Sequence, residues 1–387
     1  MIMSRTYNKN LVFPACCFGM LLFGISLITL GAVAPDLKQK FMLDGKGSGT
    51  LFSILPIGIL TGSFLFGPVC DRYGYKSLLI LACLGMFAGF EGIAYASSLN
   101  SLKICIYIFG IGGGIINGAT NALVADISAK NKGADLSLLG VFFGIGALGM
   151  PLVLGLLSKS WNSFQVIAAV AWLAFAVGIF YFFLKFPPAK QSSASKGIKW
   201  SRLFNPLLLL ISFFLFFQSS LEAIINNWTT TYLISRGAMI ESNALYALSF
   251  HIVGMILMRL LTGSVFRSVS HTKIMWASLL LLFTGIGAMQ AGSNQTFLVI
   301  GLFLSGAGLA GGFPIMLGFV GERFADLSGT AFSFAFTIAL IGNMGINYGM
   351  GIIVHKYGVQ HLTTVCYVEL SIMMILCVFI FKKLRSH

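Results

Sequence analysis

Twelve long apolar runs govern what this 387-residue chain can fold into. A helix needs roughly 20 mostly apolar residues to cross the hydrocarbon of a bilayer. Such runs lie at about 11–34, 49–69, 77–97, 101–125, 136–158, 163–185, 204–228, 242–266, 273–291, 295–320, 327–352 and 361–381. They are far longer than a barrel strand and show no period-two alternation, which excludes a transmembrane β-barrel. Charge supports the same reading. Only 9% of residues are charged and 57% are hydrophobic, whereas a soluble domain carries about 25% charge. So few charges cannot cover a water-facing surface of this size, so lipid is the main solvent. The 36 Phe and 45 Gly suit lipid contact and close helix packing. The expected fold is an all-α membrane protein of twelve transmembrane helices.

The formal net charge of +14 does not mark a nucleic-acid binder, because no basic face with interleaved aromatics exists. The basic residues sit in the short loops instead. An even number of spans puts both termini on one side of the membrane. If that side is the cytoplasm, 17 Lys/Arg lie inside and seven outside, with Arg259 left within a span. This bias predicts cytoplasmic termini. The short loops suggest a bacterial inner membrane. The seven cysteines have no metal or redox spacing and are expected to be free thiols. The first run is long enough to span and lacks a clear cleavage site, so it is expected to stay.

The polar stretch FPPAKQSSASKGIKWSR from Phe186 to Arg202 reads as a cytoplasmic linker. It divides the chain into a six-helix bundle at 1–186, a linker at 187–203 and a second six-helix bundle at 204–387. The two halves match at a constant offset of 196 residues. Gly67 corresponds to Gly263, Gly110 and Gly112 to Gly306 and Gly308, and Asp126 to Glu322. Gly146, Gly149 and Gly155 correspond to Gly342, Gly345 and Gly351. Parallel six-plus-six repeats are a transporter architecture, with the solute held near mid-membrane. The glycines also serve simple helix packing, and the two roles are compatible.

After the second run comes Gly67-Pro68-Val69-Cys70-Asp71-Arg72-Tyr73-Gly74-Tyr75-Lys76. It resembles the loop signature G-x-x-x-D-[RK]-x-G-[RK]-[RK] of the major facilitator superfamily, with Tyr75 departing from the usual base. The resemblance implies a conformational latch made of Gly67, Asp71, Arg72, Gly74 and Lys76. Asp71 is suited to pair with a base or a helix N-terminus, and Gly74 permits a tight turn. Four further stretches are similar to the fucose permease and glucose/galactose transporter branch. They are Gly112 to Asn121, Gly140 to Ala147, Leu221 to Trp228, and Gly311-Gly312-Phe313-Pro314. Fucose permeases carry acids in the first and fourth helices. Here those positions offer Ser26, Thr29, Asn117 and Asn121, so proton coupling does not transfer from that pattern.

An ionisable group at the centre of a span costs about 2.5–3.5 kcal/mol on insertion scales and is a functional candidate by default. The candidates are Glu91, Glu222, His251, Arg259 and Glu369. Gln218, Glu222 and Asn226 recur at four-residue spacing and share one helical face. The resemblance places that helix against the central cavity. Glu222 would bind solute hydroxyls or couple a proton; the alternative is a structural hydrogen bond between helices. Asn117, Thr120 and Asn121 form a second polar face, and Asn343 with Asn347 a third. Amides both donate and accept, which suits a hydroxyl-rich solute. Trp228 either stacks on a sugar ring or anchors the outer end of its helix. His251 is a second coupling candidate or a packing residue. Arg259, one turn before Gly263, is expected to snorkel or to join the latch. Glu91 and Glu369 fall on helices that are peripheral in the family, where a structural charge is expected. The Asn227-Trp228-Thr229 sequon lies in a helix and is discounted.

The leading function is therefore secondary active or facilitative transport of a small polar solute, a sugar by preference, by alternating access. No cofactor is expected beyond a coupling proton or sodium ion. The expected partners are the solute and the bilayer, with a monomer as the working unit. The alternative is a drug or metabolite exporter of the same superfamily. Exporters often carry G-x-x-x-G-P-x-x-G-G in the fifth helix, whereas Gly146-Ala147-Leu148-Gly149-Met150-Pro151 lacks the adjacent Gly-Pro. An enzyme is set aside, since no H-E-x-x-H, G-x-S-x-G or phosphate loop occurs. His355 and His361, read as an outer loop, have no supporting carboxylate.

Overall fold

The computed structural model describes residues 7–42, 45–157, 159–190, 203–236, 239–292 and 294–385. Most of the expected linker lies outside these residues. Among them the regular structure is helical: α1 (Lys9–Ala32), α2 (Ala34–Phe41), α3 (Gly45–Tyr73), α4 (Tyr75–Tyr95), α5 (Leu99–Ile127), α6 (Lys132–Leu157) and α7 (Ser163–Phe183). There follow α8 (Pro206–Ser235), α9 (Glu241–Gly263), α10 (His271–Ala291), α11 (Gln295–Leu309), α12 (Gly312–Arg323), α13 (Ser328–Tyr357) and α14 (Leu362–Arg385). Among the described residues twelve candidate spans are long and apolar enough to cross a membrane, with α11 and α12 together forming the tenth.

Local chemistry sets the helix starts. Asn8, Asn162, Asn205 and Asn294 each accept a backbone N–H in the first turn of α1, α7, α8 and α11. Ser98 and Ser101 close a reciprocal capping box on α5. Hydropathy misjudged some ends. The seventh run continues through polar residues to Ser235 and the eleventh to Tyr357. Trp228 is consequently two turns inside its helix rather than at the outer end. His355 belongs to the last turn of α13, and His361 to a one-turn 3-10 helix. All seven cysteines are free.

The chain divides into two compact units. The first comprises Met1–Ala129, Phe142–Ile198 and Phe324–Ser333. The second comprises Lys130–Val141, Lys199–Arg323 and Phe334–His387. The first residues of α6 thus belong to the second unit, and the first residues of α13 to the first.

Within each unit glycines bring backbones together. A Cβ on Gly58 would stand 2.6 Å from the Tyr107 carbonyl oxygen, and one on Gly110 2.7 Å from that of Leu55. In the second unit Gly254 faces the Phe303 carbonyl at 2.2 Å and Gly306 that of His251 at 1.8 Å. Each partner pair is separated by the same 196 positions as its glycine. The repeat legible in the sequence is therefore a repeat of backbone contacts.

Candidate functional site

In the first unit the loop residues from Gly67 to Lys76 have a defined geometry. Gly74 adopts a φ of +83°, a left-handed conformation that favours glycine. Gly67 faces the Gly329 carbonyl, where a Cβ would stand 2.5 Å away. Asp71, only 2% exposed, accepts from the Gly329 amide at 3.1 Å, the Thr330 amide at 2.7 Å and the Thr330 hydroxyl at 2.6 Å. It thereby holds the N-terminus of α13, where a carboxylate satisfies orphan amides and meets the positive end of the helix dipole. The two bases of the motif do not join it. Arg72 is exposed over the Tyr73 ring and Lys76 lies over that of Phe182.

A second cluster beside it was not legible in the sequence. Lys190 donates to Asp126 Oδ1 at 2.7 Å, to the Ala325 carbonyl at 2.7 Å and to the Ser328 hydroxyl. Tyr75, the departure from the motif, donates to Asp126 Oδ2 at 2.6 Å. The α5 face is partly self-satisfied. Asn121 Nδ2 donates to the Asn117 carbonyl at 2.8 Å and its side-chain oxygen at 3.2 Å, and the Thr120 hydroxyl donates to the Ile116 carbonyl at 2.7 Å. Thr120 and Asn121 are buried; Asn117 is half-buried.

The second unit gathers the other candidates. Buried Gln218 donates from Nε2 to the Leu309 carbonyl at 2.9 Å, leaving its Oε1 unpartnered. Glu222 and Asn226, one and two turns further along α8, are half-buried. From α13, Asn343 donates to the Ser219 carbonyl at 3.1 Å. Asn347 accepts from Trp228 Nε1 at 3.0 Å. The half-buried indole N–H is therefore committed to an amide of α13.

Arg259 does not snorkel. It is 7% exposed and lies flat over Gly140, donating from Nη1 to the Gly140 carbonyl at 3.2 Å, while its Nε is buried without a partner. Around the start of α6, Ser137 donates to the Arg259 carbonyl at 2.9 Å, Arg267 pairs with Asp135 at 2.6 Å, and His271 meets Asn131 at 3.0 Å. His251 is fully buried with Nδ1 against Ser305 Oγ at 2.9 Å and Nε2 unpartnered. The Ser305 contact joins α9 to α11. Glu91 is half-buried. Glu369 is 3% exposed and contacts the Ser220 hydroxyl of α8. No group of three or more His, Cys, Asp or Glu suited to a metal is found among the described residues.

Residues 16–346 match the family described as Major Facilitator Superfamily. The chain is 22% identical over 294 residues to the inner membrane transport protein YdiN of Escherichia coli, covering 72% of this chain and 67% of that protein. It is 23% identical over 306 residues to the glucose/mannose transporter GlcP of Bacillus subtilis, covering 76% of each. A shorter match, 29% over 171 residues, joins it to the multidrug resistance protein MdtG of Proteus mirabilis and covers 43% of this chain and 42% of that one. Among solved structures, the Escherichia coli fucose:proton symporter FucP superposes with a TM-score of 0.80 at 16% identity, covering 95% of this chain and 98% of FucP.

Proposed function

The chain belongs to the major facilitator superfamily, and on that premise we propose that it carries a small polar solute, a sugar first among the candidates, across the membrane by alternating access. It is an integral membrane protein of a family of transporters. The reading of the solute rests on one observation: in the second unit, half-buried Glu222 and Asn226 share a face of α8 with Gln218, while Asn343 and Asn347 of α13 reach Ser219 and Trp228. Amides and a carboxylate at such depth offer both donors and acceptors to hydroxyls. An aromatic side chain held by an amide gives a ring face to stack on. The α5 face with Asn117, Thr120 and Asn121 is the corresponding candidate in the first unit. The match to GlcP and the shared fold with FucP support a sugar.

In this reading Gly67, Asp71 and Gly74 form the working part of the latch. Arg72 and Lys76 hold its loop, and Arg259 serves the second unit. Access to the opposite side requires residues 324–333 to leave Asp71, and residues 130–141 to leave Arg259 and Arg267. The loop charges support cytoplasmic termini in a bacterial inner membrane. Coupling falls to Glu222 or His251, with a proton or sodium as the driving ion.

Uptake of labelled hexoses into proteoliposomes, with and without a proton or sodium gradient, tests the reading. Uptake by the wild-type chain and at least a tenfold loss in Glu222→Gln are expected. Normal uptake and unchanged pH dependence in Glu222→Gln removes that residue from the site. A second reading, export of drugs or metabolites, draws on the match to MdtG. Resistance conferred on a sensitised host, without hexose uptake, would favour it.

A further inference from the structure

A buried carboxyl on α14 takes no part in the reading above. Glu369 is 3% exposed, its Oε1 has no partner, and its Oε2 contacts the Ser220 hydroxyl of α8. Ser220 also lies 2.9 Å from the Phe217 carbonyl oxygen. A hydroxyl has one hydrogen and cannot donate to both oxygens. A carbonyl can only accept. If Ser220 donates to Phe217, its contact with Glu369 must be donated from the carboxyl. The chain of bonds then runs from Glu369 Oε2–H to Ser220 Oγ–H to the Phe217 carbonyl, with every hydrogen used once.

An ionised Glu369 would be served by a single hydroxyl and would leave one oxygen bare. The surrounding groups give it no counter-charge. On its own helix the nearest titratable residues are Cys366 and Tyr367, neither of them a cation. The charged residue of α8 is Glu222, two positions from Ser220 and therefore about 200° around the helix; Tyr232 lies three turns further on. The charged residues of α10 are His271 and Lys273 in its first turn. The Tyr367 hydroxyl meets the Phe283 carbonyl, so Glu369 stands opposite the middle of α10, roughly 15 Å along the axis from Lys273. His361, in the turn before α14, is exposed and about 12 Å along the chain. A carboxylate buried without a cation is disfavoured, and a neutral carboxyl is the form that such a setting accepts.

We propose that Glu369 is a proton-binding site, whose proton is donated to Ser220 and fastens α14 to α8. Loss of the proton places a negative charge in that contact, and the Ser220 hydroxyl can then serve Glu369 only by giving up the Phe217 carbonyl of its own helix. Ser220 lies between Gln218 and Glu222 in sequence, so the proton biases the helix that carries the solute face. That use of the proton rests on the transporter reading; its presence on Glu369 does not.

Infrared spectroscopy of the purified full chain in lipid nanodiscs, from acid to alkaline pH, tests the site directly. The expected result is a protonated-carboxyl C=O band at neutral pH that shifts in deuterium oxide, persists in Glu222→Gln and vanishes in Glu369→Gln. Ser220→Ala should keep the band and move it to higher frequency, because the acceptor is gone. That shift decides the matter if Glu369→Gln does not fold. Wild-type and Glu369→Gln spectra that coincide at every pH, or a band unmoved in Ser220→Ala, overturn the proposal. In proteoliposomes, labelled hexose uptake should vary with pH in the wild type and vary less steeply in Glu369→Gln. Absence of hexose uptake in both counts against the sugar reading and leaves the infrared result to stand or fall alone.

Discussion

The two units repeat their backbone contacts and differ in their charges. Ser333 donates to the Ser63 carbonyl at 2.6 Å in the first unit, and Ser137 to the Arg259 carbonyl at 2.9 Å in the second. Donors and acceptors are each 196 positions apart. At the same offset the side chains diverge. Asp71 corresponds to Arg267, Tyr75 to His271 and Ser63 to Arg259. In the first unit an acid reaches across to hold a helix N-terminus; in the second, Asp135 sits in the first turn of α6 and an arginine comes to it. Both arrangements place negative charge at an N-terminus, where the helix dipole favours it. Close packing tolerates only small residues and so preserves the repeat. A helix N-terminus accepts a carboxylate from either direction and leaves the sequence free to change sign.

The largest effect should come from the packing half of this comparison. Gly306→Ala places a Cβ 1.8 Å from the His251 carbonyl, against 2.7 Å from Leu55 for Gly110→Ala. Overpacking a tight contact costs about 1–3 kcal/mol. Thermal unfolding of the purified chain should show the greater loss in Gly306→Ala, and equal losses would mean that the two glycine contacts are equally tight. Next is Asp71→Ala, which strips two amides and a hydroxyl of their acceptor. About 1–3 kcal/mol is expected by the same measurement. Arg267→Ala, its counterpart, removes a pair whose arginine is 45% exposed; about 0–1 kcal/mol is expected. Similar losses at the two positions would mean that the charges are as deeply engaged in one unit as in the other. The smallest is Trp228→Phe, which deletes the bond to Asn347. It should lower stability by about 0.6 kcal/mol, the average for a hydrogen bond between membrane helices. A loss of solute binding well beyond that would place the ring at the solute.

The fold was legible because membrane spanning imposes length and apolarity on every helix, and because glycine contacts recur at a fixed offset. The candidate site was legible only in part. Four-residue spacing put Gln218, Glu222 and Asn226 on one face, since helical periodicity alone decides that. It did not disclose that Gln218 is committed to the Leu309 carbonyl. Nor did it place Arg259, because a long side chain near a helix end either snorkels or folds inward. Gly140 decides the outcome by leaving room for the guanidinium. Lys190 and the Glu369–Ser220 contact carried no signal, because neither partner pair shares a motif or a period.

Between α11 and α12 the tenth span is interrupted at Ala310 and Gly311. Gln218 lends an amide to Leu309 at that break, and its Oε1 occupies space 1.9 Å from where a Gly312 Cβ would be. The span is thus two helical segments set end to end, with a side chain of another helix seated at the joint. Any residue larger than glycine at 312 would have to displace that amide, so the missing Cβ is what reserves the seat of Gln218.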